Sequence, residues 1–303
     1  MSRDAVKHRG RIVAAYGRQY EVRIDGHDDE VLTVLCSPRG KKSVYACGDE
    51  VEVALSNTTQ GVIDELHERR SLFHRSDAFK EKLIAANVTQ VVIVAATEPG
   101  FSDELLMRCL CAVEAQNIEG LIVLNKSDLK THLKRGQELL APFIKAGHAV
   151  MELSATEGCL ESLRSRLQGH VSLLVGQSGM GKTTLTNALV PDAEARTGGV
   201  SEALGSGKHT TTYVKWYDLA GGGALIDSPG LQAFGLSHLS LDQIENGFRD
   251  FRHLRGMCRF RDCQHEQEPH CAFRAAVMAG EVDARRFEIM RMILGEHRRK
   301  PKY

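Results

Sequence analysis

Between residues 10 and 66, apolar and polar positions alternate in short runs: "GRIVAAYG", "QYEVRIDG", "VLTVLCS", "DEVEVALS" and "TQGVIDEL". A period of two marks half-buried β-strands, and the Gly, Asp, Asn and Pro between the runs mark turns. Five short strands in so few residues suit a small Greek-key barrel of the OB type. From residue 67 the pattern changes. "VTQVVIVAA" is continuously apolar, as in a strand covered on both faces. Ser102 then offers an N-cap, Asp103 and Glu104 place negative charge in a first helical turn, and Leu105, Cys109, Ala112 and Val113 recur at helical spacing. "EGLIVL" and "VSLLVG" read as further buried strands, and strands alternating with helices predict a mostly parallel α/β sheet. From residue 236 strand patterns stop and Arg, His and Cys concentrate. Three units are expected: a barrel over 1–66, an α/β domain over 67–235 and a mainly helical segment over 236–303.

Composition narrows the classes. No apolar run approaches the ~18 residues of a membrane helix. The N-terminal "MSRDAVKHRGR" lacks the apolar core of a signal peptide, so a cytoplasmic protein without a membrane partner is expected. Nothing demands a dimer, and a monomer is expected. Formal net charge is +0, but its distribution is uneven. Arg249 to Arg261 holds five Arg against one Asp, and Arg285 to Tyr303 holds seven Lys/Arg against two Glu. Such segments are either phosphate-contacting surfaces or solvated helix faces. "PRGKK" (Pro38 to Lys42) is a basic loop in the barrel and tilts it toward RNA binding rather than plain scaffolding. Cys36, Cys47, Cys109, Cys111 and Cys159 are scattered and read as small core residues, whereas Cys258, Cys263 and Cys271 cluster.

The chemistry-bearing motifs lie in the α/β region. "GQSGMGKT" (Gly176, Gln177, Ser178, Gly179, Met180, Gly181, Lys182, Thr183) fits a phosphate-binding loop, with Thr184 next in the helix that follows. Its glycines let backbone N–H groups curl around phosphate oxygens, Lys182 reaches the β- and γ-phosphates, and Thr183 offers a hydroxyl to Mg²⁺. "NKSD" (Asn125, Lys126, Ser127, Asp128) follows the strand "LIVL". Asp128 can accept from the N1–H and 2-amino groups of guanine. Adenine has neither donor there and would leave a carboxylate unpaired. Asn125 would support the loop, and the Lys126 stem would lie on the base. Ser154 and Ala155 in "ELSATEG" can meet the guanine O6 with their backbone. "ALIDSPGL" ends an apolar strand in Asp227, placed for the Mg²⁺ shell, with Gly230 placed for the γ-phosphate. A second D-x-x-G at Asp218 to Gly221 lies in a Gly-rich turn and is rejected. In "GSGKHTTTY", Thr210 or Thr211 is a candidate to close on Mg²⁺. Gly198, Gly199, Gly205 and Gly207 suggest a loop that orders with triphosphate.

Further on, "CRFRDCQHEQEPHC" offers Cys258, Cys263, His265 and Cys271, a three-sulfur, one-nitrogen set suited to structural Zn²⁺, with His270 as a competitor for the fourth place. Zinc would staple a small Arg-rich segment expected to lack its own core.

Taken in chain order, base loop, "SA", phosphate loop, threonine loop and "DSPG" resemble a circularly permuted GTPase. With "GRIVAAYGRQYEV", "SPRGKK", "IAANVTQ" and the cysteine cluster, the chain resembles the ribosome small-subunit-dependent GTPase A (RsgA) family over nearly its whole length. That resemblance implies an N-terminal OB-fold, a permuted P-loop GTPase domain and a C-terminal zinc domain. It also implies binding to the small ribosomal subunit and its 16S rRNA late in assembly, and GTP hydrolysis stimulated by that subunit. Lys208 stands where the family pattern leads one to expect Arg. Many GTPases orient the attacking water with a Gln directly after D-x-x-G, but here that position is Leu231, and Gln232 is one residue on. Slow intrinsic hydrolysis follows, with His209 the candidate to orient water, alongside Lys182 and Thr211 as catalytic groups; ribosomal RNA is the other source of help. Two competing classes are a metabolic P-loop kinase, which "NKSD" opposes, and a zinc/OB-fold RNA-binding protein with vestigial GTPase activity, which intact Lys182, Thr183 and Asp227 oppose.

Overall fold

The computed structural model describes residues 6–25, 31–40, 44–76, 80–157, 160–190, 193 and 213–299. The first five strands are β1 (Lys7–Tyr16), β2 (Gln19–Asp25), β3 (Val31–Pro38), β4 (Glu50–Leu55) and β5 (Gln60–Leu66). They follow the order β1-β2-β3-β5-β4, and β1 pairs back to β4 to close the barrel. β3 and β5 are parallel and the other barrel pairs antiparallel, the OB-type connection expected from the sequence. Closure leaves alternate side chains inside. Ile12, Tyr20, Val22, Val34, Val51, Val53 and Ile63 are buried together there.

A hairpin, β6 (Leu72–Ser76) and β7 (Glu81–Ala86), leads into the α/β layer. That layer contains β8 (Gln90–Ala96), α1 (Asp103–Ala115), β9 (Glu119–Asn125), α2 (Lys130–Lys145), β10 (Ala149–Glu152), α3 (Glu161–Leu167), β11 (Val171–Val175), α4 (Lys182–Leu189), β12 (Val214–Asp218) and β13 (Ala224–Asp227). The strands order as β10-β9-β8-β11-β13-β12. All neighbours are parallel except β12, which runs antiparallel to β13. Every residue of β8 is buried because helices cover both faces. Ser102 caps α1 by accepting from the Leu105 N–H at 3.1 Å. Cys36, Cys47, Cys109 and Cys111 are buried free thiols, as expected; Cys159 lies outside the described residues.

The C-terminal region holds α5 (Leu241–Gly247), a 3-10 turn (Arg249–Leu254), α6 (Ala272–Met278) and α7 (Ala284–Arg298). Phe248, Phe251, Phe273, Ile289, Met290 and Leu294 are buried, in one cluster continuous with the α1 side of the central sheet rather than in a separate core. Phe251 stacks on Phe273 at 5.7 Å and on Phe287 at 6.1 Å. Gly247 lets α5 approach α1 closely, since a Cβ there would lie 2.9 Å from the Cys111 Cα. The aromatics that join this cluster are spread over about 40 residues without helical periodicity, so no single window of sequence displays them.

Candidate nucleotide and metal sites

The sequence motifs meet at the carboxyl edge of the parallel strands, where open α/β sheets bind ligands. β9 ends in Asn125, β10 in Glu152, β11 in Val175 and β13 in Asp227. The spatial order sets the base loop beside Ser154–Ala155 and the phosphate loop beside "DSPG". Chain order plays no part in that adjacency, because parallel strands present their carboxyl ends on one side in whatever order they are connected.

Asn125 is buried and ties three loops together. Its Nδ2 donates to the Met180 carbonyl at 2.9 Å, and its Oδ1 accepts from the Ala155 N–H at 3.0 Å. Lys126 adopts φ +62°, and its Nζ donates to the carbonyls of Glu98 (2.7 Å) and Gly179 (2.8 Å). The Ser127 N–H donates to the Leu153 carbonyl at 3.1 Å. The Ser154 hydroxyl accepts from the N–H groups of Thr156 and Glu157, which shapes the neighbouring turn. The Oδ1 of Asp128 is buried and makes no hydrogen bond among the described residues. An acceptor left in this condition is costly, and a ring edge presenting two N–H groups satisfies it.

In the phosphate loop, Gly181 has φ +88°, and a Cβ there would lie 2.3 Å from Asn125 Nδ2. The loop can therefore fold onto Asn125 only with glycine at this position. The buried Lys182 donates to the carbonyls of Gly176 and Gln177, both at 2.9 Å. Burial pushes its pKa below the usual lysine value while the Asp227 charge pushes it back up, so a phosphate beside it is a favourable neighbour. Thr183 and Thr184 are exposed in the first turn of α4. Asp227 is buried, and the Ser228 hydroxyl donates to the Leu174 carbonyl at 2.6 Å. The Thr183 hydroxyl and Asp227 carboxylate are hard oxygen donors of the kind Mg²⁺ takes. A Cβ on Gly230 would lie 2.9 Å from the Ser178 Cα, so "DSPG" rests directly on the phosphate loop. The Leu231 N–H donates to the Gly176 carbonyl at 3.0 Å. Its side chain is buried in the core, while Gln232 is exposed. The rejected Asp218 is the last residue of β12, before the turn to β13, and is bonded to Arg23 and to the Trp216 indole. The expectations on Gly198, Gly199, Gly205, Gly207, Lys208, His209, Thr210 and Thr211 lie outside the described residues.

One partner of the phosphate loop escaped the sequence. The Gln177 Oε1 accepts from the Ser102 N–H at 2.7 Å, joining the loop to α1. The only signal at Ser102 was its helix-capping pattern. Next to this bond a cavity of about 750 Å³ opens, bordered by Arg75, Arg108, Gln232, Phe234 and Glu296.

The cysteine cluster is compact. Cys258, Cys263, His265 and Cys271 bring their ligand atoms within 4.8 Å of one another. His265 Nδ1 lies 3.7, 3.6 and 3.4 Å from the sulfurs of Cys258, Cys263 and Cys271, and the Cys258 and Cys271 sulfurs are 3.9 Å apart. A tetrahedron with metal–sulfur bonds near 2.3 Å and a metal–nitrogen bond near 2.0 Å has edges of about 3.5–3.8 Å, so the donor set fits a metal ion. His270 is exposed and not part of the set. Glu245 stands 3.6 Å from His265 Nε2 on the far side of the ring.

The basic run before this cluster is largely spent within the molecule. Arg249 and Arg252 pair with Glu114, and Arg255 pairs with Asp242. These three arginines keep about a third of their side chains exposed while paired, with Arg252 the most open.

A phosphate loop and a guanine-type base loop on one sheet edge, with the base loop earlier in the chain, define a circularly permuted P-loop GTPase. The comparisons agree. The RsgA GTPase family profile matches residues 66–237. The "Small ribosomal subunit biogenesis GTPase RsgA" of Burkholderia pseudomallei is 47% identical over 298 residues, covering 97% of this chain and 94% of that protein. The protein of the same name from Paraburkholderia phytofirmans is 47% identical over 295 residues, covering 95% and 92%. Among solved structures, YjeQ from Thermotoga maritima aligns with TM-score 0.71 at 27% identity, over 98% of this chain and all of that one. YloQ, described as a circularly permuted GTPase, aligns with TM-score 0.67 at 26% identity over the whole of both chains. The chain belongs to the RsgA GTPase family.

Proposed function

We propose that this GTPase is a switch in late maturation of the small (30S) ribosomal subunit, slow alone and stimulated by the subunit. The names of its relatives support the setting. The observation that carries the nucleotide choice is the buried, unbonded Asp128 oxygen held beside Asn125. In this reading Asn125 to Asp128, with Ser154 and Ala155, hold guanine. Gly176 to Thr184 cradle the phosphates and Lys182 neutralises them. Thr183 and Asp227 are the Mg²⁺ side of the site, which Thr211 completes, and Gly230 meets the γ-phosphate. Bound Mg²⁺ supplies charge neutralisation of the phosphates. Leu231 cannot orient water, and His209 or 16S rRNA takes that part. The barrel (1–66) and the segment from 236 to 303 bear on rRNA from either side of the GTPase domain (67–235). The Cys/His cluster holds one structural Zn²⁺, with four protein donors and no open position for catalysis. No described helix is long and apolar enough to cross a membrane. In this reading the protein works on ribosomes as a cytoplasmic monomer.

Turnover of GTP and ATP, with and without purified small subunits, tests this reading. GTP hydrolysis should rise several-fold or more with subunits and ATP hydrolysis should not. An equal rate with and without subunits sinks the switch. Asp128→Asn should weaken GTP binding by about 1–3 kcal/mol, roughly 5- to 160-fold, and leave ATP binding as it was. Wild-type subunit-stimulated turnover in His209→Ala would exclude His209 as the water-orienting group. Metal analysis of the purified protein should find one zinc per chain, absent from Cys263→Ser.

A further inference from the structure

β1 does more than close the barrel. Its far end pairs with β12, Ala14 opposite Lys215 and Ala15 opposite Val214. β12 pairs in turn with β13, Lys215 opposite Asp227. The barrel is therefore two ladders away from the candidate cation-side carboxylate, within one continuous sheet. At the end of the first ladder Tyr16 packs on Tyr213, with ring centroids 4.6 Å apart and planes tilted by 50°. The Tyr16 hydroxyl donates to the Glu21 carboxylate on β2 at 2.9 Å, so its ring is held from behind by the barrel.

Tyr213 directly precedes β12. Extending the antiparallel register by two residues sets it level with Pro229, in the loop after Asp227. Side chains alternate along a strand, so Tyr213 shares the face of Lys215. Burial pushes both tyrosine hydroxyls above their usual range, and Glu21 acts on both in the same direction. Asp227 also raises Tyr213, as its charge is close enough to be felt there. The same carboxylate acts on Lys182 from the other side. In the sheet Asp227, the last residue of β13, lies between β11, which leads into the phosphate loop, and β12, which Tyr213 precedes.

We propose that Tyr16 and Tyr213 form a clasp through which the barrel positions Asp227, and with it the divalent cation of the bound nucleotide. This rests on reading Asp227 as the cation-side carboxylate. The physical basis is stiffness: β12 lies at the end of the α/β sheet, with β13 on one side and only the short β1 contact on the other. An aromatic pair at that contact limits how far the β12–β13 hairpin can shift. Neither tyrosine is among the residues assigned to the nucleotide, so both act as positioning residues, and a load on the barrel would reach the nucleotide site through them.

The test uses the full chain and a fluorescent GDP analogue, reading nucleotide dissociation across a Mg²⁺ titration. Tyr16→Leu removes the ring and keeps an apolar side chain; Tyr16→Phe keeps the ring and removes the bond to Glu21. Loss of an aromatic pair predicts a shift of roughly 2- to 13-fold. Tyr16→Leu should raise the half-saturating Mg²⁺ concentration within that range, leave Mg²⁺-free affinity within twofold of wild type, and speed amide exchange across Val214–Asp218. Tyr16→Phe should stay within twofold of wild type. Tyr213→Leu, which removes the ring from the other side, should give the same Mg²⁺ shift. Wild-type Mg²⁺ dependence in Tyr16→Leu and Tyr213→Leu overturns the clasp. A parallel loss of Mg²⁺-free affinity also overturns it, because it marks general damage. If the wild-type protein retains nucleotide regardless of Mg²⁺, the reading of Asp227 falls first and the clasp with it.

Discussion

At the nucleotide edge the loops are held mainly through backbone groups; in the C-terminal helical region the holding is done by charged side chains. Lys182 and Lys126 bond to carbonyls, Asn125 bridges a carbonyl and an N–H, and Gly181 and Gly230 are needed because no side chain fits. In the helical region Arg286, only 1% exposed, donates two bonds to Asp250 at 2.8 and 2.6 Å and lies 4.7 Å over the Phe143 ring. Arg285 pairs with Asp103, and Arg108 with Glu296, locking α7 against α1. A backbone cradle is a local structure, set by glycines a few residues apart. Ion-pair anchors act at range, since Asp250 is 36 residues from Arg286 and Glu296 is 188 residues from Arg108.

The sharpest way to break this contrast is Arg286→Ala. Asp250 would remain partly buried without its partner, at a cost of about 3–5 kcal/mol. Urea unfolding should show that loss, while the folded protein keeps GDP affinity within twofold of wild type. A cost below ~1 kcal/mol would mean that the aromatics, not the ion pairs, hold the helical region. The mirror experiment is Gly181→Ala. A Cβ at φ +88° and 2.3 Å from Asn125 Nδ2 adds about 1–3 kcal/mol of local strain. The effect should fall mainly on guanine nucleotide affinity, by roughly 5- to 160-fold, with the unfolding midpoint moving less than in Arg286→Ala. Equal losses of stability and affinity would erase the distinction between the regions.

The smallest effect concerns Asp103. The hydrogen bond from Arg285 holds its carboxyl below the usual carboxylate range, against the opposing effect of burial. A pKa lowered on folding stabilises the fold above the ordinary carboxylate value near pH 4, and that stabilisation is lost as pH falls through the folded value. Asp103→Asn should cost under ~1 kcal/mol at pH 7. Its difference from wild type should shrink below about pH 4, and a constant difference from pH 7 to pH 3 would remove Asp103 from the acid response.

The barrel and the nucleotide motifs were legible for the same reason: their information is short-range. Period-two alternation over residues 10 to 66 is enough to define five strands, and Gly176 to Thr183 define their loop within eight residues. Asp218 to Gly221 could be set aside because glycines on its C-terminal side mark a turn. The helical region was less legible on the same principle. The pairing of Arg249 and Arg252 with Glu114 is not visible locally, because Glu114 lies more than 130 residues away in the chain. Phe251, Phe273 and Phe287 become neighbours only after the chain turns back on itself.

The sequence alone therefore carried the local patterns: a loop with phosphate-loop spacing, an aspartate offered to a base, and three thiols and one imidazole whose ligand atoms the fold brings within 4.8 Å of one another. Glycine conformation, donor type and residue spacing carry these, and none needs a distant partner. Tertiary structure alone decided what each local device is joined to. It set Asn125 between two other loops, spent Arg249 and Arg252 on Glu114, bonded Gln177 to α1, and laid the barrel's β1 against the strand beside Asp227. Those couplings depend on which surfaces meet when the apolar faces are buried, and burial pairs residues by position in space rather than by position in the chain.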